Sequence, residues 1–272
     1  MRKRLILLLS GCVATLVLIT ASLYAASYAG VFSYARSPVP IVTTSPADGT
    51  LKPAIDFSNY FVVGSQTMKL EYHSKGALPT SCSTQDREED VRAVVAPGGT
   101  RPTITATFLD PPGPTNVTYT FESVRFYTPA AHRFNGIYKP IEAQLVHYNA
   151  GAPSPRPKYV VVTVYLYPAV GWSEYDELLY NTPAECAGSV NRLDINLANL
   201  LPTNTTTSYR YEGSLVTSPY PGPVHWVIFD PLVGRPLHPA HISAYQNVFS
   251  SVGGNSPTES PPLATIYKKP WP

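Results

Sequence analysis

Metal binding, proton transfer and nucleophilic attack in this 272-residue chain fall to six histidines, three cysteines and eighteen acidic residues. His238 and His241 form an H-x-x-H pair that one helix face could present. No acidic residue or third histidine stands close enough in sequence to complete a zinc set with them. His-x-His, which puts two imidazoles on one face of a strand, occurs nowhere. His225 beside Trp226 reads as a half-exposed strand residue. A Gly-rich phosphate loop, a G-x-S-x-G elbow and a cysteine in a nucleophilic setting are all missing from the sequence. The one dense charge cluster, Asp86-Arg-Glu-Glu-Asp90 with Arg92, reads as a solvated loop, with a contact surface or cation site as the alternative. Lys268-Lys269-Pro-Trp-Pro272 reads as a frayed end or a docking segment.

The compartment follows from the N-terminus. Arg2, Lys3 and Arg4 precede an uncharged run from Leu5 to Ala26, and about 20 apolar residues span a bilayer. A basic end at 1–4 in the cytosol and a retained anchor at 5–26 predict a single-pass type II membrane protein with its domain outside. Signal cleavage near Ala25-Ala26-Ser27, which would yield a secreted protein, and an organelle membrane are the alternatives. Asn116-Val-Thr118 and Asn204-Thr-Thr206 are glycosylation sequons beside Pro-containing turn sequence, consistent with a luminal domain. Cys82 and Cys186 are the only pair outside the apolar run, and an oxidising lumen predicts that they bridge; two unrelated thiols are the alternative. Without the three leading basic residues the formal charge is 17 − 18 = −1, which argues against a nucleic-acid partner.

At 44% hydrophobic and 14% charged residues the remainder is globular in composition, and 29 Pro with 19 Tyr favour strands and turns. β-Branched and aromatic runs predict strands over 103–108, 119–127, 141–147, 159–167 and 224–229. The run at 159–167 is nearly continuous, as for a strand covered on both faces. Helices are expected at 174–179 and 239–249. Residues 27–50 read as an extended stem, 51–250 as the folded domain, and 251–272 as a Pro/Gly/Ser-rich tail over the surface.

Four blocks carry a family resemblance: His132-Arg-Phe-Asn-Gly136 with Glu142-Ala-Gln-Leu-Val-His-Tyr-Asn149; Leu193 to Pro202; Tyr209-Arg-Tyr-Glu-Gly-Ser-Leu215; and Val224-His-Trp-Val-Ile-Phe229. In order and spacing they resemble SEHTxDG…AELHLVHWN, FD…LLP, YYxYxGSLTTPP and VxWxVF of the α-carbonic anhydrases. The resemblance covers about residues 119–250. It implies a mostly β, single-domain α+β fold with a large twisted, mainly antiparallel sheet of about ten strands and short peripheral helices.

Activity in that family requires zinc on three neutral imidazoles, which lowers the pKa of bound water to about 7. Set against the family pattern, the paired ligands fall on Arg125 and Tyr127 and the third on Gln144. The hydroxyl that gates zinc-bound hydroxide falls on Val216, followed by Thr217, and its carboxylate partner falls on Ala131. Glu142, His132 and His147 match retained supporting positions. Arg125 is expected to pair with Glu142 in the old cavity, and His73 to approach its mouth. The resemblance therefore implies an inactive, zinc-free relative acting as a binding, adhesion or scaffold ectodomain, since ligand-less relatives bind cell-surface proteins or, in a poxvirus envelope protein, glycosaminoglycan. A protein partner or membrane complex is favoured over glycosaminoglycan because the domain lacks a basic excess. An active zinc enzyme with atypical ligands and a structural subunit of a membrane complex are the competing readings.

Overall fold

The segments 141–148 and 159–168 form adjacent strands buried along nearly their whole length, the second almost entirely apolar and the first carrying Glu142, Gln144 and His147 into the interior, and the rest of the molecule is layered around them. The structure is a computed structural model. It describes residues 36–42, 53–73, 89–110, 113–154, 156–183, 189–205, 207–217, 221–250, 253–257 and 267–270. The anchor at 5–26 and both Cys82 and Cys186 lie outside these. Among the described residues no helix is long and apolar enough to cross a membrane.

The strands are β1 (Ala54–Asp56), β2 (Ser65–His73), β3 (Asp90–Val95), β4 (Thr103–Asp110), β5 (Gly113–Tyr127), β6 (Ile141–Tyr148), β7 (Tyr159–Pro168), β8 (Ser189–Asn196), β9 (Thr207–Gly213), β10 (Val224–Phe229), β11 (Arg235–Leu237) and β12 (Tyr267–Pro270). They form one 12-stranded sheet whose main path runs β12-β9-β10-β7-β6-β5-β3-β2-β8, with β4 added along β5, β1 along β4 and β11 along β7. Pairing is antiparallel except where β10 and β11 meet β7 in parallel. The helices α1 (Ser58–Val63), α2 (Glu174–Tyr180) and α3 (Pro239–Val248) are short. Ser173 starts α2 with a reciprocal capping box to Asp176, and His238 caps α3 ahead of Pro239.

Each face of the sheet carries its own apolar cluster. One, under the helices, includes Phe121, Val124, Phe126, Tyr175, Leu178 and Tyr245. The other includes Tyr127, Val146, Val161, Tyr165, Val216 and Trp226. A bulge in β5 between Phe121 and Ser123 makes both clusters compatible with one strand. Before it the odd positions Tyr119 and Phe121 face the helix-side core; after it the even positions Val124 and Phe126 do. The extra residue thus turns Ser123, Arg125 and Tyr127 to the opposite face.

The stem expected over 27–50 is packed where it is described. Val39 and Ile41 are fully buried in the second cluster, and Ile41 bridges Phe134. Two apolar side chains on alternate residues, Val39 and Ile41, find a covered sheet face, which a Pro-interrupted sequence does not advertise. The tail is also partly built in. Asn255 is fully buried and bonds Thr128 N, Glu89 O and Phe126 O at 2.7, 3.0 and 2.9 Å. Gly254 brings it there at φ +103°, where a Cβ would stand 2.1 Å from Thr128 O. Tyr267–Pro270 pairs with β9 as an edge strand instead of fraying.

Candidate functional site

Cross-strand register assembles a row of polar residues on the face opposite the helices. Arg92 on β3 pairs directly with Arg125 on β5, Arg125 with Gln144 on β6, and Gln144 with Thr163 on β7. One pleat further along, Tyr127 pairs with Glu142 and Glu142 with Tyr165. Directly paired residues share a face, so the three sequence-predicted ligand positions, Arg125, Tyr127 and Gln144, converge. They are 5%, 0% and 1% exposed.

Each of the three is committed to a partner. Arg125 donates from Nη2 to Glu122 Oε2 at 3.1 Å and from Nε to Ser123 Oγ at 3.4 Å. Glu122 is the bulge residue, and the bulge brings its carboxylate within reach. Tyr127 donates its hydroxyl to Asp90 Oδ2 at 3.3 Å. Burial first, and then the Asp90 carboxylate, push the Tyr127 hydroxyl far above its ordinary pKa, so it stays a neutral donor. Gln144 donates Nε2 to Glu142 Oε1 at 2.7 Å. The expected Arg125–Glu142 ion pair does not form: the bulge supplies Arg125 with Glu122, and Glu142 is filled by other donors.

Glu142, fully buried, accepts from His132 N at 2.7 Å, from His132 Nδ1 at 2.8 Å and from Gln144. His132 Nε2 bonds the Tyr211 hydroxyl at 2.7 Å, and that hydroxyl bonds Ser37 Oγ at 2.9 Å. A single chain of hydrogen bonds thus runs from β6 through β9 to the N-terminal segment. His147 lies on the other face of β6, its Nε2 2.6 Å from the Tyr60 hydroxyl and its Nδ1 3.3 Å from Val160 O. Burial drives its pKa down to about 3 despite those backbone carbonyls, which keeps the ring neutral. Ala131 and Val216 pack in the cluster around Trp226, and Thr217 sits beside them at 9% exposure.

Asp90 and Arg92 also differ from the sequence expectation of a solvated loop. Asp90 is fully buried and takes Arg92 Nε and Nη2 at 2.6 and 3.1 Å. Burial works to lower the Arg92 pKa, but Asp90 outweighs it and the guanidinium is held more firmly charged. The alternation Asp90-Val-Arg-Ala93, polar then apolar, was the available signal for a strand with one polar face. His225 is fully buried because β10 is covered on both faces, and its Nδ1 lies 2.5 Å from Glu212. His241 bonds Asp176 at 2.7 Å and His238 serves as a cap. His73, at the end of β2, has its pKa lowered by burial and then by Arg92. Asn116 lies exposed on β5, with Oδ1 accepting from Thr107 at 2.8 Å, rather than in a loop; Asn204 is exposed in the connection to β9.

Zinc needs neutral imidazole, thiolate or carboxylate donors. A guanidinium repels a dication, a neutral phenol is a poor ligand, and the Gln144 amide is oriented by Glu142 through its nitrogen. These three side chains do not fit a zinc ion. Among the described residues no three His, Cys, Asp or Glu side chains come together in a way that could hold a metal.

Three comparisons bear on this geometry. The profile of the family described as eukaryotic-type carbonic anhydrase matches residues 32–267. No curated protein matches significantly. Among solved structures, the α-carbonic anhydrase of Photobacterium profundum superposes with a TM-score of 0.61 at 21% identity, covering 90% of this chain and 94% of its own. The α-carbonic anhydrase from Thermovibrio ammonificans, solved with the inhibitor sulfanilamide, gives 0.61 at 18% identity over 86% of each chain. Dioscorin complexed with ascorbate gives 0.59 at 16% identity, covering 88% of this chain and 87% of its own.

Proposed function

Because the chain belongs to the eukaryotic-type carbonic anhydrase family, we propose that it is a catalytically inactive member, a membrane-anchored ectodomain whose work is binding or scaffolding. The observation that carries this reading is the row Arg125–Gln144 with Tyr127 beside it. Two of the three positions are direct cross-strand partners and the third lies two residues away on the same face. That is the spatial relation a His-x-His pair and a facing third histidine would have, and it supports the match made from sequence. The site holds a cation, a phenol and an amide, each bonded to a protein neighbour.

In the family reaction zinc supplies hydroxide at neutral pH. Here the same volume is filled by hydrogen-bonded side chains, with Val216 in place of the hydroxyl gate and Ala131 in place of its carboxylate. Such a floor gives the sheet internal cohesion and leaves the outer surface for recognition. Exposed Asn116 and Asn204 and the basic-then-apolar N-terminus support a glycosylated luminal or extracellular setting.

Restoring the machinery tests the reading. The variant R125H/Y127H/Q144H/V216T/A131E, made in the full chain, is expected to bind one zinc per chain. A variant that folds with parent-like circular dichroism and takes up no zinc in equilibrium dialysis would break the positional match on which the reading rests.

A further inference from the structure

A second site lies beside α2, away from the Arg125–Gln144 row. Between α2, β8, the turn Leu197–Leu200 and β11 there is a pocket of about 490 Å³, reached by Trp172, Glu174, Glu177, Asp194, Asn199 and Arg235. It is within the size range of small-ligand sites. Its walls are mainly polar, and several of its polar groups are held at one end with the other left over.

Asn199 donates Nδ2 to Glu174 Oε1 at 3.1 Å, which orients both side chains. Arg235 donates Nε to Leu201 O at 2.6 Å, which fixes the plane of its guanidinium and leaves its terminal nitrogens for the pocket. Glu177 and Asp194 make no side-chain hydrogen bond or ion pair among the described residues. The pocket therefore presents carboxylate and amide oxygens as acceptors and a guanidinium as donor.

Trp172 provides an apolar wall. It is 61% exposed although it is a large aromatic residue. Its ring is braced at 5.2 Å by His241 and at 6.1 Å by Tyr180. His241 is in turn fixed by Asp176, the same carboxylate that caps α2 next to Trp172. The indole is thus a positioned surface rather than a side chain adrift in solvent.

The mixture of signs selects the ligand. An anion meets three carboxylates, while a metal cation finds no three of them converging on one point among the described residues and has the Arg235 guanidinium against it. A neutral polyol satisfies both kinds of group, with hydroxyl protons for Glu177, Asp194 and Asn199 and lone pairs for Arg235. Its C–H face supplies the apolar surface that an exposed indole lacks. We infer that this pocket binds a neutral carbohydrate of one or two sugar units stacked on Trp172. The inference stands apart from the reading of the Arg125–Gln144 row and holds whether or not that row binds metal.

Saturation-transfer NMR on the full chain in detergent, with cellobiose, maltose, lactose and N,N′-diacetylchitobiose as probes, tests it. At least one is expected to bind saturably with a Kd of about 1 mM, as suits a shallow, water-competed site. Trp172→Ala and Asp194→Asn should each weaken that binding by about tenfold or more. Asp194→Asn is an exposed, near-isosteric change that keeps the test valid should Trp172→Ala disturb α2. Absence of saturable binding by all four sugars would overturn the inference. So would sugar binding unchanged in both variants, or a tri-arginine peptide or sulfated disaccharide occupying the pocket more tightly than any neutral sugar.

Discussion

Glu142→Gln is the sharpest single perturbation of the polar site, because it alters one atom and almost no volume. The carboxylate accepts three hydrogen bonds, two on Oε1 and one on Oε2, all within 2.7–2.8 Å and with no exposure to solvent. An amide can keep the oxygen that faces His132 Nδ1 and Gln144, but its NH₂ then points at the His132 backbone N–H. One buried donor is left facing another, and two charge-assisted bonds become neutral. A hydrogen bond to a charged group is worth about 1.5–3 kcal/mol and an unsatisfied buried donor costs about 1–3 kcal/mol, so the expected loss is about 3 kcal/mol. Against a total stability of about 5–15 kcal/mol, this is a fall in melting temperature of roughly 10 °C for a domain of this size. Glu142→Ala, which orphans all three donors and opens a cavity, should lose about 5 kcal/mol. Urea unfolding followed by circular dichroism reads both. Hydrogen exchange should show residues 36–42 losing protection in Glu142→Gln, since the network reaches Ser37 through His132 and Tyr211. A Glu142→Gln protein within about 0.5 kcal/mol of the parent, with unchanged exchange at the N-terminal segment, would refute the view that this carboxylate organises the floor.

Two further perturbations follow from the same face and its reverse. Asp90→Asn removes the buried charge that holds Arg92 against its like-charged cross-strand neighbour Arg125. It should cost about 3 kcal/mol, and Arg92→Gln added to it should recover part of that loss in a double-mutant cycle. Burial lowers the folded-state pKa of His147 from its ordinary 6.5 to about 3. In the window between those values the unfolded chain binds the proton and the folded chain does not, so stability falls as pH drops below 6.5. Between pH 7 and pH 5 the loss from this group is about 2 kcal/mol. A His147→Gln variant should flatten that part of the stability-versus-pH curve, and an unchanged slope would show that the ring is not held neutral.

The strands whose chemistry is nearly uniform were readable in the sequence: β7 and β10 run largely apolar because both faces are covered, and α2 and α3 announce themselves by Ser173 and by Pro239. Others were hidden by their partners. β9 carries Arg210 in mid-strand, fully buried, with Nη1 donating to Pro53 O at 2.6 Å. Its Nε also donates to Ser208 Oγ at 2.9 Å, but the Pro53 contact comes from 157 residues away and cannot be read from the strand itself. β3 looked like loop because Glu89, Asp90 and Arg92 are charged, yet Asp90 closes on Arg92 and Tyr127, and Glu89 accepts from the Tyr72 hydroxyl. The stem and tail contribute Val39, Ile41 and Asn255 to the interior, where single residues flanked by Pro, Gly and Ser leave no periodicity to read.

The site divides the same way. The convergence of Arg125, Tyr127 and Gln144 was expected from the motif match, and the register brings them together. The partner of Arg125 was not legible, because it depends on the β5 bulge, which appears in the sequence only as a slip of the apolar alternation from 119 and 121 to 124 and 126. The pocket beside Trp172 was equally out of reach, since its walls come from three segments far apart in the sequence.

The direct measurement is elemental analysis of the purified full chain in detergent, paired with stopped-flow carbon dioxide hydration on the same sample. With Arg125, Tyr127 and Gln144 bonded to Glu122, Asp90 and Glu142, zinc is expected at less than about a tenth of an equivalent per chain, with hydration no faster than buffer. One zinc per chain that leaves with chelator and takes hydratase turnover with it would contradict the account.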